Sequence, residues 1–150
     1  MEAKLYETDF YRWTVEQSDH LRLGKLDDLD LENLADEIAS LGKLQQQELR
    51  KRLGVLLGHL LKWEYQPDKR SKSWVFTIRE QRRELTFLLH DNPSLKSYLD
   101  EAILRGYAQG FDLAVKETNL QRKDLPAKCR YAIAQIFDVN FPDQINEDFD

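Results

Sequence analysis

A single cysteine, Cys129, leaves no internal disulfide to form and too few thiolates for a cysteine-built zinc site. His20, His59 and His90 each lack a glutamate three positions earlier, so the paired Glu-x-x-His motif of di-iron helical bundles is absent. Glu16 and His20 can share a helix face, but one pair is not a metal site. The longest apolar run, Gly54–Leu61, already contains His59 and is far too short to span a bilayer. The chain opens MEAKLYETDF, without a basic-then-apolar leader pattern, and a reducing cytoplasm is the expected setting. There is no glycine-rich phosphate loop and no nucleophile elbow. Cys129 lies between Lys128 and Arg130, which would favour its thiolate, yet its spacing with Ala132, Ile133 and Ile136 reads as a small core residue. No cofactor is expected. With no complete catalytic constellation, an enzyme is the minority reading.

Strand signals are missing too, because no segment alternates apolar and polar residues between turn signals. What remains is helical periodicity almost throughout. The 150 residues, 41% apolar and 33% charged with sixteen aromatic side chains, suit one soluble all-α domain. The expected architecture is a bundle of about five or six helices with a long or kinked central helix. Its core would cover about residues 6–142, with an acidic tail fraying over 143–150.

A first helix is predicted from Thr8 or Asp9 as N-cap to Gly24 as left-handed terminator, with Phe10 and Trp13 on one face. Aspartates at 27, 28 and 30 then introduce a second run. Leu34, Ile38, Leu41, Leu49, Leu53, Leu56, Leu60 and Trp63 hold helical phase until Pro67. Gly42 interrupts it, and since glycine costs about 1 kcal/mol in a helix interior, a break there is expected. Ser71 or Ser73 would cap the next helix, and Asn92-Pro93 the one after, which ends at Thr118-Asn119. A last helix is expected from Pro126 to Asp138. Gly54 and Gly58 are four apart, as are Gly106 and Gly110, so each pair forms a small-residue groove that could accept the other helix closely.

Charge is uneven. Residues 59–84 carry 7 basic and 4 acidic groups, whereas residues 1–58 carry 8 and 12 and residues 85–150 carry 7 and 11. The basic section contains HLLKWEYQPDKRSKSW, a helix end, a proline turn and a helix start. Trp63 and Trp74 are expected to meet across that corner, with His59 one turn before Trp63. Arg70 and Lys72 lie at the turn, and Arg79, Arg82 and Arg83 follow on neighbouring faces. Three readings compete for these eight side chains. The cations could stack on the tryptophans and pair internally as a rigid corner. They could bind phosphate, RNA or DNA with a tryptophan as platform. Or they could meet an acidic protein surface, such as residues 27–37 of a second copy, which hold six acids and no base. A protein–protein interaction or regulatory module, self-associating or binding another chain, is the leading expectation. Nucleic-acid or anionic-ligand binding is the alternative. Last comes an enzyme using His59 as acid or base.

The runs LENLADEIASLGK (31–43), LLGHLLKWEYQPDKRSKSW (56–74) and TIREQRREL (77–85), with DFYRWT (9–14) ahead of them, resemble the domain of unknown function 29 family. The resemblance covers roughly residues 6–142. It implies an all-α bacterial domain and brings no activity, ligand or catalytic residue with it. His59, Trp63, Gln66, Pro67, Ser73, Trp74 and Arg82 are among the matching positions. Leu44 departs from the small polar residue expected after Gly42-Lys43.

Overall fold

In a computed structural model, which describes residues 2–149 and the side chains from residue 5, the described chain forms six α-helices and no strand. These are α1 (Glu2–Thr8), α2 (Phe10–Arg22), α3 (Leu31–Tyr65), α4 (Lys72–Asp91), α5 (Leu99–Glu117) and α6 (Ile133–Phe137). The chain groups into two compact units, residues 1–44 and 45–150, and α3 belongs to both.

The expected break at Gly42 does not occur, and α3 runs unbroken for 35 residues. Glycine's cost of about 1 kcal/mol is small beside the run of helical hydrogen bonds on either side and the packing of the leucines from Leu49 onward. Gly42 has nothing within 4 Å of where a Cβ would stand, so no neighbour forces a kink.

In the first unit Asp9 caps α2 as expected, accepting from the Arg12 backbone N–H at 3.1 Å, and Gly24 follows the helix at φ +69°. The short helix α1 has no strong sequence signal, and seven residues are too few to hold a helix in isolation. Packing supplies what propensity lacks. The Tyr6 ring meets Phe10 and Trp13 edge-on, and its hydroxyl donates to Glu37 on α3. That bond to a carboxylate pushes the Tyr6 phenol up to about 12. Asp30 accepts from the Trp13 indole at 3.0 Å and from Asn33, while the buried Gln17 amide accepts from the Asp30 backbone N–H. Asn33 and Trp13 together hold the Asp30 carboxyl below its ordinary range, despite partial desolvation. Two of the six acids at 27–37 therefore do structural work.

The second unit is organised by one close helix crossing. Gly54 and Gly58 on α3 face Gly106 and Gly110 on α5, so backbone meets backbone. A Cβ on Gly110 would stand 2.7 Å from both the Gly54 carbonyl oxygen and the Gly58 nitrogen. Around that contact Leu49, Leu53, Leu56, Leu57, Leu60, Leu61 and Trp63 are fully enclosed. Helix α4, capped by Ser71, adds Val75, Ile78, Leu85 and Leu89 to the same core. After Asn92-Pro93 the chain takes a 3-10 stretch before α5, which stops at Thr118.

The last predicted helix shrinks to Ile133–Phe137. Residues 126–132 lie outside it and make tertiary bonds: the Tyr107 hydroxyl donates to the Pro126 carbonyl, and the Tyr131 hydroxyl donates to Glu64. Of Cys129, Ala132, Ile133 and Ile136, only Ile136 is buried. Residues 143–149, expected to fray, pack instead. Ile145 is enclosed and the Phe149 ring lies 5.0 Å from that of Trp63.

Candidate binding corner

Helix α3 ends at Tyr65 because Pro67 follows, and Ser71 restarts the chain as α4. Every candidate side chain from 59 to 83 lies on these two helices or the turn between them. Their environments differ sharply.

Trp63 is wholly buried, and its indole donates to the Asp143 carbonyl at 3.1 Å. Arg70 lies over the Trp63 ring at 4.8 Å and donates through Nε to the Trp63 carbonyl, one of the last four of α3, which lack a partner within the helix. Its Nη1 reaches Gln144 Oε1 at 2.7 Å. Arg79 reaches Asn146 Oδ1 at 3.3 Å. Three corner residues thus attach to the C-terminal segment, and the chain supplies its own partner for this part of the corner.

Arg82 is 4% exposed and points at α6, donating to the Ile136 and Gln135 carbonyls at 2.8 and 3.1 Å. These are carbonyls of the last turn of a five-residue helix, and the planar guanidinium fork satisfies both. Burial pushes Arg82 down to about 10, so it stays charged at neutral pH, with Asp138 favouring the charge. Arg83 and Lys72 are exposed; Arg83 pairs loosely with Glu84 at 3.6 Å and Lys72 lies near the Phe76 ring.

The tryptophans do not pair across the corner as expected; each has a cation on its face. For Trp74, which is half-buried, the cation is Lys62 at 4.8 Å, itself only 4% exposed and bonded to Glu117 at 2.8 Å. The lysine hydrogen bond holds the Glu117 carboxyl below its ordinary range. Sequence reading did not single out Lys62, although one charge inside the otherwise apolar LGVLLGHLL-K-W run signals a buried cation that must have a partner. His59 is nearly enclosed one turn earlier and makes a 2.8 Å bond through Nδ1 with the Val55 carbonyl. Burial pushes its imidazole below 6.5. An enclosed, neutral histidine bonded to its own helix is poorly placed for proton transfer to a ligand.

What the corner leaves open is a shallow depression of about 520 Å³ lined by Gln66, Lys69, Trp74, Lys116 and Glu117. Cys129 is half-buried, with its thiol near the Tyr131 carbonyl, and burial pushes it up against the opposing effect of that contact.

Fold and corner together define an all-α domain in which no helix of the described residues is long and apolar enough to cross a membrane. The chain belongs to the family described as domain of unknown function DUF29, whose model matches residues 5–142. No curated protein and no solved structure matches it.

Proposed function

We propose that this protein is an interaction module that self-associates through the first turns of α3, with the basic–aromatic corner serving as internal scaffold. One observation carries the reading. Leu31, Ile38, Leu41 and Leu44 are 68%, 67%, 63% and 55% exposed on a single helix. Isolated exposed leucines need no explanation, but a run at three- and seven-residue spacing is the seam a second helix covers. Phe10, Leu21, Leu23 and Leu26 add further exposed apolar surface in the same unit.

A seam of this kind is self-complementary, so a second copy can cover it. In an antiparallel two-fold pairing centred between Ile38 and Leu41, each Ile38 faces the other copy's Leu41.

Sedimentation velocity over a concentration series tests this. A monomer–dimer equilibrium is expected, and Ile38→Glu should abolish it while leaving the circular dichroism spectrum unchanged. Leu41→Glu should do the same, whereas Asp36→Lys, on the opposite face of α3, should leave the association unchanged. A wild-type chain that stays monomeric throughout, or an Ile38→Glu chain that still dimerises, refutes the pairing.

A further inference from the structure

The second unit holds a cavity that borders the corner and shares Trp63 and Arg70 with it. It has a volume of about 340 Å³ and lies among the end of α3, Tyr107 of α5, the 126–131 segment and residues 141–143. That is within the range of small-ligand pockets, ~300–1,000 Å³. Tyr107, Tyr131 and Phe141 supply aromatic walls, with the Tyr131 and Phe141 rings edge to face at 5.9 Å.

Four charged residues line it: Glu64, Arg70, Arg130 and Asp143. Arg70 is committed to Trp63 and Gln144. Arg130 makes no hydrogen bond or ion pair among the described residues. Glu64 accepts from the Tyr131 hydroxyl through Oε2 at 2.6 Å, which leaves Oε1 without a partner among the described residues. Guanidinium and carboxylate border one space. The Tyr107 phenol, pushed up to about 12 chiefly by burial, feels both: Arg130 draws it down and Glu64 pushes it further up. Yet the two opposite charges do not pair with each other. A purely anionic ligand would face Glu64 and Asp143, and a purely cationic one would face Arg130. A ligand carrying both charges satisfies both sides.

We propose that this cavity binds a small zwitterion with a flat apolar body, a free aromatic α-amino acid, with its carboxylate on Arg130, its ammonium on Glu64 and its ring among Tyr107, Tyr131 and Phe141. The site lies wholly within residues 45–150 and does not depend on self-association.

Calorimetric titration of the full chain with three probes tests it: L-phenylalanine, hydrocinnamate, which lacks the ammonium, and phenethylamine, which lacks the carboxylate. L-Phenylalanine should bind about tenfold or more tightly than either analogue, as expected when one charge-assisted hydrogen bond is removed. Arg130→Gln should erase the preference over phenethylamine, and Glu64→Gln the preference over hydrocinnamate. Both side chains are exposed, so the variants should keep the wild-type circular dichroism spectrum. The proposal is overturned if no probe binds at millimolar concentration, if all three bind equally, or if both variants keep the wild-type preference.

Discussion

Adding one methyl group to Gly110 tests the central crossing of the second unit more directly than any leucine truncation. In an isolated helix, alanine in place of glycine stabilises by roughly 0.8–1.0 kcal/mol. Here the new Cβ would stand 2.7 Å from the Gly54 carbonyl oxygen and from the Gly58 nitrogen, whereas ordinary contact begins near 3.4 Å. Both obstacles are backbone, so no rotamer change relieves them. The helices must separate by about 0.7 Å, a gap that forfeits a quarter to a half of each dispersion contact across it. Overpacking of this kind costs about 1–3 kcal/mol, and the lost contacts of Leu53, Leu57 and their neighbours add to it. Net destabilisation of about 1–3 kcal/mol survives the propensity gain, and Tm should fall by about 2–10 °C for a chain of this size. Gly42→Ala is the matched control, because its Cβ meets nothing within 4 Å. There the propensity term acts alone and stability should rise by about 1 kcal/mol. Gly58→Ala and Gly54→Ala should fall between, in that order. At Gly58 a movable Leu113 methyl and the Gly110 carbonyl share the clash, whereas at Gly54 the flexible Gln109 side chain takes most of it. Urea unfolding followed by helical circular dichroism supplies the free energies, at a concentration low enough that association does not contribute. A Gly110→Ala protein as stable as wild type, or more so, would refute the close approach.

Two further outcomes follow from buried ionisable groups. Arg82→Lys keeps the charge but cannot span the Gln135 and Ile136 carbonyls as the guanidinium does. It should lose about 1–3 kcal/mol in urea unfolding, and an unchanged midpoint would mean that the charge alone anchors α6. The second concerns pH. His59 is pushed below 6.5 by burial, so below pH 6.5 the unfolded chain takes up a proton that the folded chain resists. Its contribution is therefore complete above 6.5 and is lost as pH falls toward the folded value. Glu117, held below 4.5, loses its contribution only at more acid pH. Wild-type urea midpoints should drop as pH falls below 6.5, while those of His59→Gln stay level just below that pH. Equal slopes for the two proteins would show that His59 is not the group responsible.

Much of the fold was legible because its causes are local. Asp9, Gly24, Ser71 and Thr118 mark helix ends through hydrogen bonds and backbone geometry set within a few residues, and each stands where spacing placed it. The apolar phase from Leu49 to Trp63 foretold a helix covered on all sides, and the two glycine pairs foretold a close crossing. Misreadings arose where a distant partner outweighed a local preference. Gly42 lowers helix propensity but does not break α3. Residues 126–132 carry helical periodicity, yet they stay outside α6 and bond to the distant Tyr107 and Glu64 instead. Lys62 and Glu117, the pair beside Trp74, are 55 residues apart, and no periodicity links them.

The basic–aromatic corner shows the same division. Composition and spacing by themselves determined that this is an all-α chain, that two tryptophans and a set of cations gather at one proline turn, and that no metal or nucleophile motif accompanies them. Only tertiary structure decided what those cations meet. Arg70 and Arg79 reach residues 144 and 146, Arg82 reaches the end of α6, and Lys62 lies between Trp74 and Glu117. A buried charge must have a partner, but a sequence does not say which of many distant groups the fold will bring to it. The exposed leucines of α3, the uncommitted Arg130 and the second carboxylate oxygen of Glu64 became visible for the same reason, since a group left without a partner is recognised only after every other partner has been placed.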